Sequence, residues 1–216
     1  MLERDPANEP LAIEARSFAL IDECIPEPRK YTGDLWQVAR RVIHTVGDPT
    51  ILDDLILSTA ALECGVRALA KGATIITDTA MAREGITRRW TDGRSVRFLT
   101  LSQIACEEEA KRLRTTRLAA AIRCVTQDLG GAIFAIGNAP TALFALLDAL
   151  NSGAPQPALI IGMPVGFVNA AQSKEALAKS PYPHFTLLGT RGGSAMAAAC
   201  VNALFAIRKS REEEMV

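Results

Sequence analysis

Histidine is scarce in this chain, and its cysteines never occur in closely spaced pairs. The 216 residues include two histidines and five cysteines, and no CxxC pair is present. Zinc sites draw Cys and His ligands from short, regular spacings, and the disulfide frameworks of small secreted domains use an even number of cysteines. The composition therefore predicts neither a metal site nor a disulfide framework.

An excess of either sign of charge is also missing. Lys and Arg total 24, Asp and Glu total 24, and the formal net charge is zero. Nucleic-acid-binding proteins usually carry a basic excess, and the apolar runs here are interrupted before they reach membrane-spanning length. The polar, acidic N-terminus has no signal-peptide character. We therefore expect a cytoplasmic protein that binds neither nucleic acid nor membrane, although a local group of arginines would still suit a small polyanion.

Three common catalytic motifs are absent as well. No GxGxxG, GxxxxGK[ST] or GxSxG sequence occurs, which argues against a dinucleotide-binding fingerprint, a P-loop and a nucleophile elbow. Ser194 follows a pair of glycines, and His44 and His184 are the available bases. An unrelated α/β hydrolase that uses Ser194 is therefore an alternative without a supporting motif.

Two kinds of periodicity divide the chain. Residues 11–24, residues 34–45 and the segment from Pro49 to Gly72 read as three helices, with Gly47 as the stop signal of the second, and no strand is expected there. Beyond them, short apolar runs alternate with helices, as in a buried parallel sheet. The five runs cover residues 73–77, 95–99, 132–136, 158–161 and 185–188. A last helix is predicted over 194–207, followed by a tail over 208–216 that frays.

These patterns predict an α/β fold with a mainly parallel five-stranded sheet and a helical N-terminal region. No linker interrupts the chain, and its length suits one domain. We expect that domain to span residues 1–216, with its helical part at about 10–71 and its βα part at about 72–207.

Glycine-rich turns follow three of the predicted strands. In such sheets the ligand lies beyond the carboxyl ends of the strands, glycine lets it approach the backbone, and helix N-termini offer free N–H groups to anions. The turns predict a binding site for a large, negatively charged ligand. The alternative is that they only connect strands to helices. The candidate ligand contacts in these turns are Gly137, Asn138, Thr141, Gly192, Gly193 and Ser194.

His44 lies in the last turn of the second predicted helix. The carbonyl end of a helix favours imidazolium, which suits a proton donor, and Arg41 lies three residues earlier on the same helical face. The Arg41 charge opposes protonation of His44 until an anionic ligand neutralises it. The alternative is a helix-end histidine that only binds a carbonyl. His184, which follows Pro183 near a strand edge, is assigned no role.

Several longer stretches carry a resemblance to a known family. They are EARSF at 14–18, RVIH at 41–44, IGNAPTAL at 136–143, GMPVGFVNAAQSK at 162–174 and GGSAMAAA at 192–199. In this order, and over about residues 13–204, they resemble the precorrin-8X methylmutase family. The first stretch departs slightly from the family's ERSF-type motif, because Ala15 separates Glu14 from Arg16.

The resemblance implies a flavodoxin-like three-layer α/β/α fold and a homodimer with its site near the subunit interface. It also implies that His44 is the catalytic proton donor. Ser17 and Arg41 would contact the substrate, and Arg117 would do so by a looser match.

The implied activity is that of an isomerase of cobalamin biosynthesis. One methyl group would move from ring position eleven to ring position twelve, converting precorrin-8X to hydrogenobyrinate or cobalt-precorrin-8 to cobyrinate. The resemblance implies a corrinoid ligand and no cofactor or protein-bound metal. A non-catalytic tetrapyrrole carrier with the same pocket is the alternative, and His44 distinguishes the two, because a carrier needs no acid there.

Overall fold

Helices alternate with short strands in the computed structural model, which describes residues 9–87 and 96–214. The helices are α1 (Pro10–Cys24), α2 (Gly33–Val46), α3 (Thr59–Ala70), α4 (Ala80–Glu84), α5 (Leu101–Ile104), α6 (Glu107–Arg112), α7 (Arg117–Cys124), α8 (Pro140–Asn151), α9 (Ala170–Ala178) and α10 (Ser194–Glu214). The strands are β1 (Leu55–Ile56), β2 (Ile75–Thr77), β3 (Phe98–Thr100), β4 (Ile133–Ile136), β5 (Leu159–Gly162) and β6 (His184–Leu187).

The described strands form one six-stranded sheet in the order β1-β6-β5-β4-β2-β3. Its neighbouring strands are parallel except for β1 and β6. Successive residues of a strand face opposite sides of the sheet, and each side has its own core. Ile75 and Ile133 pack with residues of α2, α3 and α10, whereas Ile76 and Phe134 pack with residues of α7 and α8. Helices on both faces of a mainly parallel sheet confirm the predicted three-layer α/β/α class.

The strand order places a crevice between β2 and β4. The chain runs from β2 outward to β3, returns across β2 to β4, and continues through β5 to β6, which is the flavodoxin-like order. The winding direction therefore reverses between β2 and β4. Open α/β sheets bind ligands beyond the carboxyl ends of the strands at such a reversal, so the segments that follow β2 and β4 are expected to form the site.

The structure corrects the expectation of five strands with none before residue 72. Leu55 and Ile56 form β1, which pairs antiparallel with β6 at the edge of the sheet. A strand of two residues has no periodicity to read, and its position depends on tertiary contacts. The side chains of Lys30 and Tyr31 donate hydrogen bonds to the carbonyl oxygen of Leu55, at 2.8 and 2.6 Å.

Other boundaries follow local signals more closely. α2 ends at Val46, and the next residue, Gly47, has a φ of 67°, the left-handed conformation that commonly stops a helix. The predicted third helix is shorter than expected, because a 3-10 turn at Pro49–Leu52 and β1 precede the start of α3 at Thr59. The strand predicted over 95–99 appears as β3 at Phe98–Thr100, and Ser95 lies outside the described residues.

The helix α10 continues to Glu214, so the prediction of a frayed tail is wrong as far as that residue. The Arg211 guanidinium forms ion pairs with Asp34 at 2.7 Å and with Glu63 at 2.6 Å. These contacts tie the last turns of α10 to the start of α2 and to α3. α2 and α10 are antiparallel, because the start of α2 meets the end of α10 here and the residues just after α2 and just before α10 also pair. The N-terminus of α10 therefore lies toward the end of α2 that carries His44.

Candidate active site at the carboxyl edge of the sheet

A pocket of about 540 Å³ opens at the carboxyl ends of β2 and β4. Its position matches the reversal in strand order, where ligands of this class of sheet bind. Three predicted ligand contacts, Arg117, Asn138 and Thr141, line it together. The other lining residues are Thr79, Ser102, Thr116, Leu118 and Ala139.

A buried carboxylate beneath the pocket holds the turn after β4. Asp78 has no exposed surface, and its Oδ2 accepts hydrogen bonds from the backbone N–H groups of Asn138 at 2.6 Å and Ala139 at 2.9 Å. Its Oδ1 is buried without a hydrogen-bond partner among the described residues. Burial raises the pKa of the Asp78 carboxyl, while the backbone N–H donors oppose that change. Asp78 therefore fixes the backbone from which Asn138 enters the pocket.

The neighbouring hydroxyl connects the pocket to the start of α10. The Thr79 and Ser194 hydroxyl oxygens lie 3.0 Å apart and share a hydrogen bond. Gly137 packs directly on this contact, because a Cβ at that position would lie 2.5 Å from Ser194 Cα. Gly192 is equally confined, since its Cβ would lie 2.2 Å from the carbonyl oxygen of Met163. Both glycines are thus required by the close packing of neighbouring turns, a reason that the sequence did not reveal.

A second hydroxyl contact in the pocket lining, between two threonines, connects α7 to α8. The Thr116 and Thr141 hydroxyl oxygens lie 2.7 Å apart, and Thr116 also caps α7 by accepting from the N–H of Ala119. Arg117 follows at the first position of α7. It is exposed and forms no ion pair among the described residues, so its guanidinium is available to an anion in the pocket.

The second group of predicted residues gathers around the ring of Phe18, and we call it the Phe18 cluster. Its members are Phe18, Arg40, Arg41 and His44. The exposed His44 ring meets Phe18 edge-on, with 5.3 Å between ring centroids. The guanidinium carbons of Arg40 and Arg41 lie 4.6 and 5.2 Å from the Phe18 centroid. Cations over an aromatic face are attracted by its quadrupole, so this contact holds two positive charges near the imidazole.

Arg41 also has a protein partner that the sequence did not predict. Its guanidinium forms an ion pair with Glu14 of α1 at 2.9 Å. Ser17, which is partly buried, precedes Phe18 on the same helix. Among the described residues, the lining of the 540 Å³ pocket includes none of Ser17, Arg41 and His44. The predicted site residues thus form two groups, one at the sheet edge and one on α1 and α2.

A network around Arg191 connects the two groups. Asp48, just beyond the end of α2, pairs with the Arg191 guanidinium at 2.8 Å, and Asp54 pairs with it at 2.9 Å. The buried amine of Lys174 donates to the Arg191 carbonyl oxygen, and burial lowers the pKa of Lys174 to about 8. Arg191 immediately precedes the turn from Gly192 to Ser194. The end of α2 is therefore attached to the turn that reaches the pocket.

The sequence patterns assigned no function to Asp78, Thr79 or Thr116. Each acts through a partner more than twenty residues away, which no local pattern reveals. Among the described residues, the hydrogen bond of the His184 ring is local, with its Nδ1 2.7 Å from the carbonyl oxygen of Tyr182.

Two further properties concern the part of the chain that the structure describes. Within residues 9–87 and 96–214, no three Cys, His, Asp or Glu side chains come together as a metal-ligand set. No helix in those ranges combines the length and the apolar character needed to span a bilayer.

Comparisons with known proteins give one consistent family. The profile described as precorrin-8X methylmutase matches residues 12–207. A precorrin-8X methylmutase of Pseudomonas aeruginosa is 48% identical over 174 residues, which cover 80% of this chain and 84% of that protein. A cobalt-precorrin-8 methylmutase of Priestia megaterium is 37% identical and covers 91% of this chain and 87% of its own length.

A solved structure agrees with these sequence matches. The precorrin-8X methylmutase of Thermus thermophilus superposes with a TM-score of 0.84 at 35% identity, covering 93% of this chain and 97% of that one. The range matched by the family profile, residues 12–207, includes both groups of site residues. This chain therefore belongs to the precorrin-8X methylmutase family, whose members are isomerases of cobalamin biosynthesis.

Proposed function

We propose that this protein moves one methyl group from ring position eleven to ring position twelve of precorrin-8X or of its cobalt form. The observation that carries the proposal is the family match across residues 12–207. The reaction is an intramolecular rearrangement, so no second substrate is consumed and atoms and electrons balance within the macrocycle.

The pocket at the sheet edge suits the carboxylates on the rim of such a substrate. Arg117 offers a guanidinium there that has no ion pair within residues 9–87 and 96–214, and Asn138 and Thr141 offer hydrogen-bond donors at the start of α8. Charge-assisted bonds from Arg are the stronger ones, and the N-terminus of α8 adds the favourable end of a helix dipole. We propose that this pocket, together with Gly137 and the Gly192–Ser194 turn, binds one side of the macrocycle.

We propose His44 as the proton donor. Protonating a ring nitrogen near the migrating carbon makes the π system electron-poor, which favours a suprafacial [1,5] methyl shift, and histidine is the side chain that titrates nearest neutral pH. His44 is exposed and lies against Phe18 beside Arg40 and Arg41. A carboxylate of the substrate that neutralises these cations would make the imidazolium easier to hold.

Arg41 is the proposed anchor for that carboxylate, with Ser17 as a neutral donor beside it. Because Arg41 pairs with Glu14, a substrate carboxylate has to displace the Glu14 carboxylate from the Arg41 guanidinium. The net gain in binding free energy is then smaller than for an unpaired arginine.

We further propose that the protein works as a cytoplasmic homodimer. Two exposed apolar groups support an interface: Phe167 and Val168 are 93% and 78% exposed in the segment after β5, and Ile13 and Leu20 are about half exposed on one face of α1. Single exposed apolar residues are common, but neighbouring ones often mark an interface. Sedimentation at micromolar concentration should give a dimer; a particle near 23 kDa would refute this part.

The activity is tested by mixing the purified protein with precorrin-8X and, separately, with cobalt-precorrin-8. Methyl migration changes the chromophore, so the visible spectrum should convert to that of the corrin product with either or both substrates. A protein that binds both compounds without altering the absorbing system would be a carrier, and the proposal would fail.

A further inference from the structure

A second pocket adjoins the first and is unassigned in the proposed mechanism. It has a volume of about 670 Å³ and shares Thr116 and Arg117 with the pocket at the sheet edge. Its other lining residues are Glu107, Ala110, Lys111, Arg114 and Thr115. Arg117 therefore stands on the boundary between the two pockets.

The charges in this second pocket do not cancel. Lys111 and Glu107 pair with each other at 3.0 Å. Arg114 and Arg117, by contrast, form no ion pair within residues 9–87 and 96–214. Two positive charges thus remain, three residues apart in the chain and on either side of Thr116, and both line the same surface.

The backbone at Arg114 makes this residue type unexpected. Arg114 has a φ of 49°. It lies two residues beyond the last residue of α6, where the N–H of Thr115 donates to the carbonyl oxygen of Ala110 at 3.0 Å. Glycine usually occupies this left-handed position because a Cβ is disfavoured there. A residue kept in a disfavoured conformation suggests that its side chain serves a purpose.

We propose that Arg114 and Arg117 together form a second anion subsite, which binds a carboxylate on the rim of the tetrapyrrole beyond the one held in the first pocket. The inference rests on the proposed function, because that function supplies a ligand with many carboxylates. Because both arginines line one pocket and guanidinium groups form strong charge-assisted hydrogen bonds with carboxylates, the pocket suits a carboxylate ligand. The competing explanation is that Arg114 only offsets the dipole at the end of α6.

Replacing Arg114 by Gly separates the two explanations, because glycine fits the left-handed backbone. The probe is the stable product hydrogenobyrinate, titrated into the protein at low and high salt, with denaturant unfolding measured alongside. We expect the dissociation constant of Arg114→Gly to rise about three- to tenfold at low salt, the scale of one exposed or partly desolvated charge pair. Salt should reduce that difference, and the denaturation midpoint should not fall.

Arg112→Gln is the matched control. Arg112 is the last residue of α6, is exposed like Arg114 and pairs with Glu109 at 2.6 Å, but it lines neither pocket. The Arg112→Gln variant should bind hydrogenobyrinate like the parent. Arg114→Lys should recover part of the affinity that Arg114→Gly loses. Equal binding by Arg114→Gly and parent, or equal loss in Arg114→Gly and Arg112→Gln, would overturn the subsite. If the parent protein isomerises precorrin-8X and Arg114→Gly binds normally, the subsite alone is refuted. If the parent protein neither binds nor converts corrinoids, both proposals are refuted.

Discussion

Replacing Asp78 by alanine should loosen the turn that carries Asn138 into the pocket. The change removes the single oxygen that accepts from the N–H groups of Asn138 and Ala139. The Ala139 N–H is buried and would keep no acceptor, whereas the exposed Asn138 can bind water instead.

The magnitude follows from these contacts. A buried donor left unpaired costs about 1–3 kcal/mol. Removing the carboxylate also relieves part of its own desolvation, which the raised pKa of Asp78 reports. We therefore expect the free energy of unfolding to fall by about 1–2 kcal/mol. The ratio kcat/KM should also fall, mainly because KM rises. The displaced turn binds substrate and does not donate a proton.

Asp78→Asn keeps an acceptor oxygen and adds a pH test. An acid whose folded pKa is raised binds more protons when folded than when unfolded, so its contribution to stability is present at low pH and is lost as pH rises through the folded value. Asn does not titrate. The stability deficit of Asp78→Asn relative to the parent should therefore shrink as pH increases from 4 to 8.

Urea denaturation across that pH range and steady-state turnover measure both effects. Asp128→Ala is the control, since Asp128 forms an exposed pair with Arg97 at the other edge of the sheet, and its loss should cost under about 1 kcal/mol. If Asp78→Ala unfolds like the parent and keeps its KM, Asp78 does not hold the turn. A pH-independent deficit in Asp78→Asn would show that the carboxyl does not titrate as argued.

Three further substitutions test the remaining assignments. His44→Ala should keep affinity for hydrogenobyrinate within a few-fold while turnover falls by about 10²–10⁴, the usual contribution of a general acid; unchanged turnover would remove His44 from the mechanism. Arg41→Gln should weaken hydrogenobyrinate binding by about 1–2 kcal/mol and reduce the salt dependence of that binding. Glu14→Gln should strengthen binding, because it frees Arg41. Identical titrations of the parent and both variants would make Arg41 a structural residue. Gly137→Ala should cost about 1–3 kcal/mol of unfolding free energy, because the new Cβ would lie 2.5 Å from Ser194 Cα; a denaturation curve matching the parent's would contradict that packing.

Local signals in the sequence account for the kind of element at most positions. Buried parallel strands need continuous apolar runs, so β2, β4, β5 and β6 were recognisable. Glycine commonly follows the last residue of a helix in a left-handed conformation, which located Gly47. The family motifs, being long and ordered, identified His44, Arg41 and Arg117 as candidates.

Tertiary structure alone decided how these pieces meet. β1 exists because Lys30 and Tyr31 reach Leu55, and α10 extends because Arg211 meets Asp34 and Glu63, contacts that span more than twenty residues. The same applies to Asp78 beneath Asn138 and to Glu14 on Arg41. Periodicity and turn chemistry depend on neighbours within a few positions, whereas strand order, ion pairing and the shape of a pocket depend on which distant surfaces pack together.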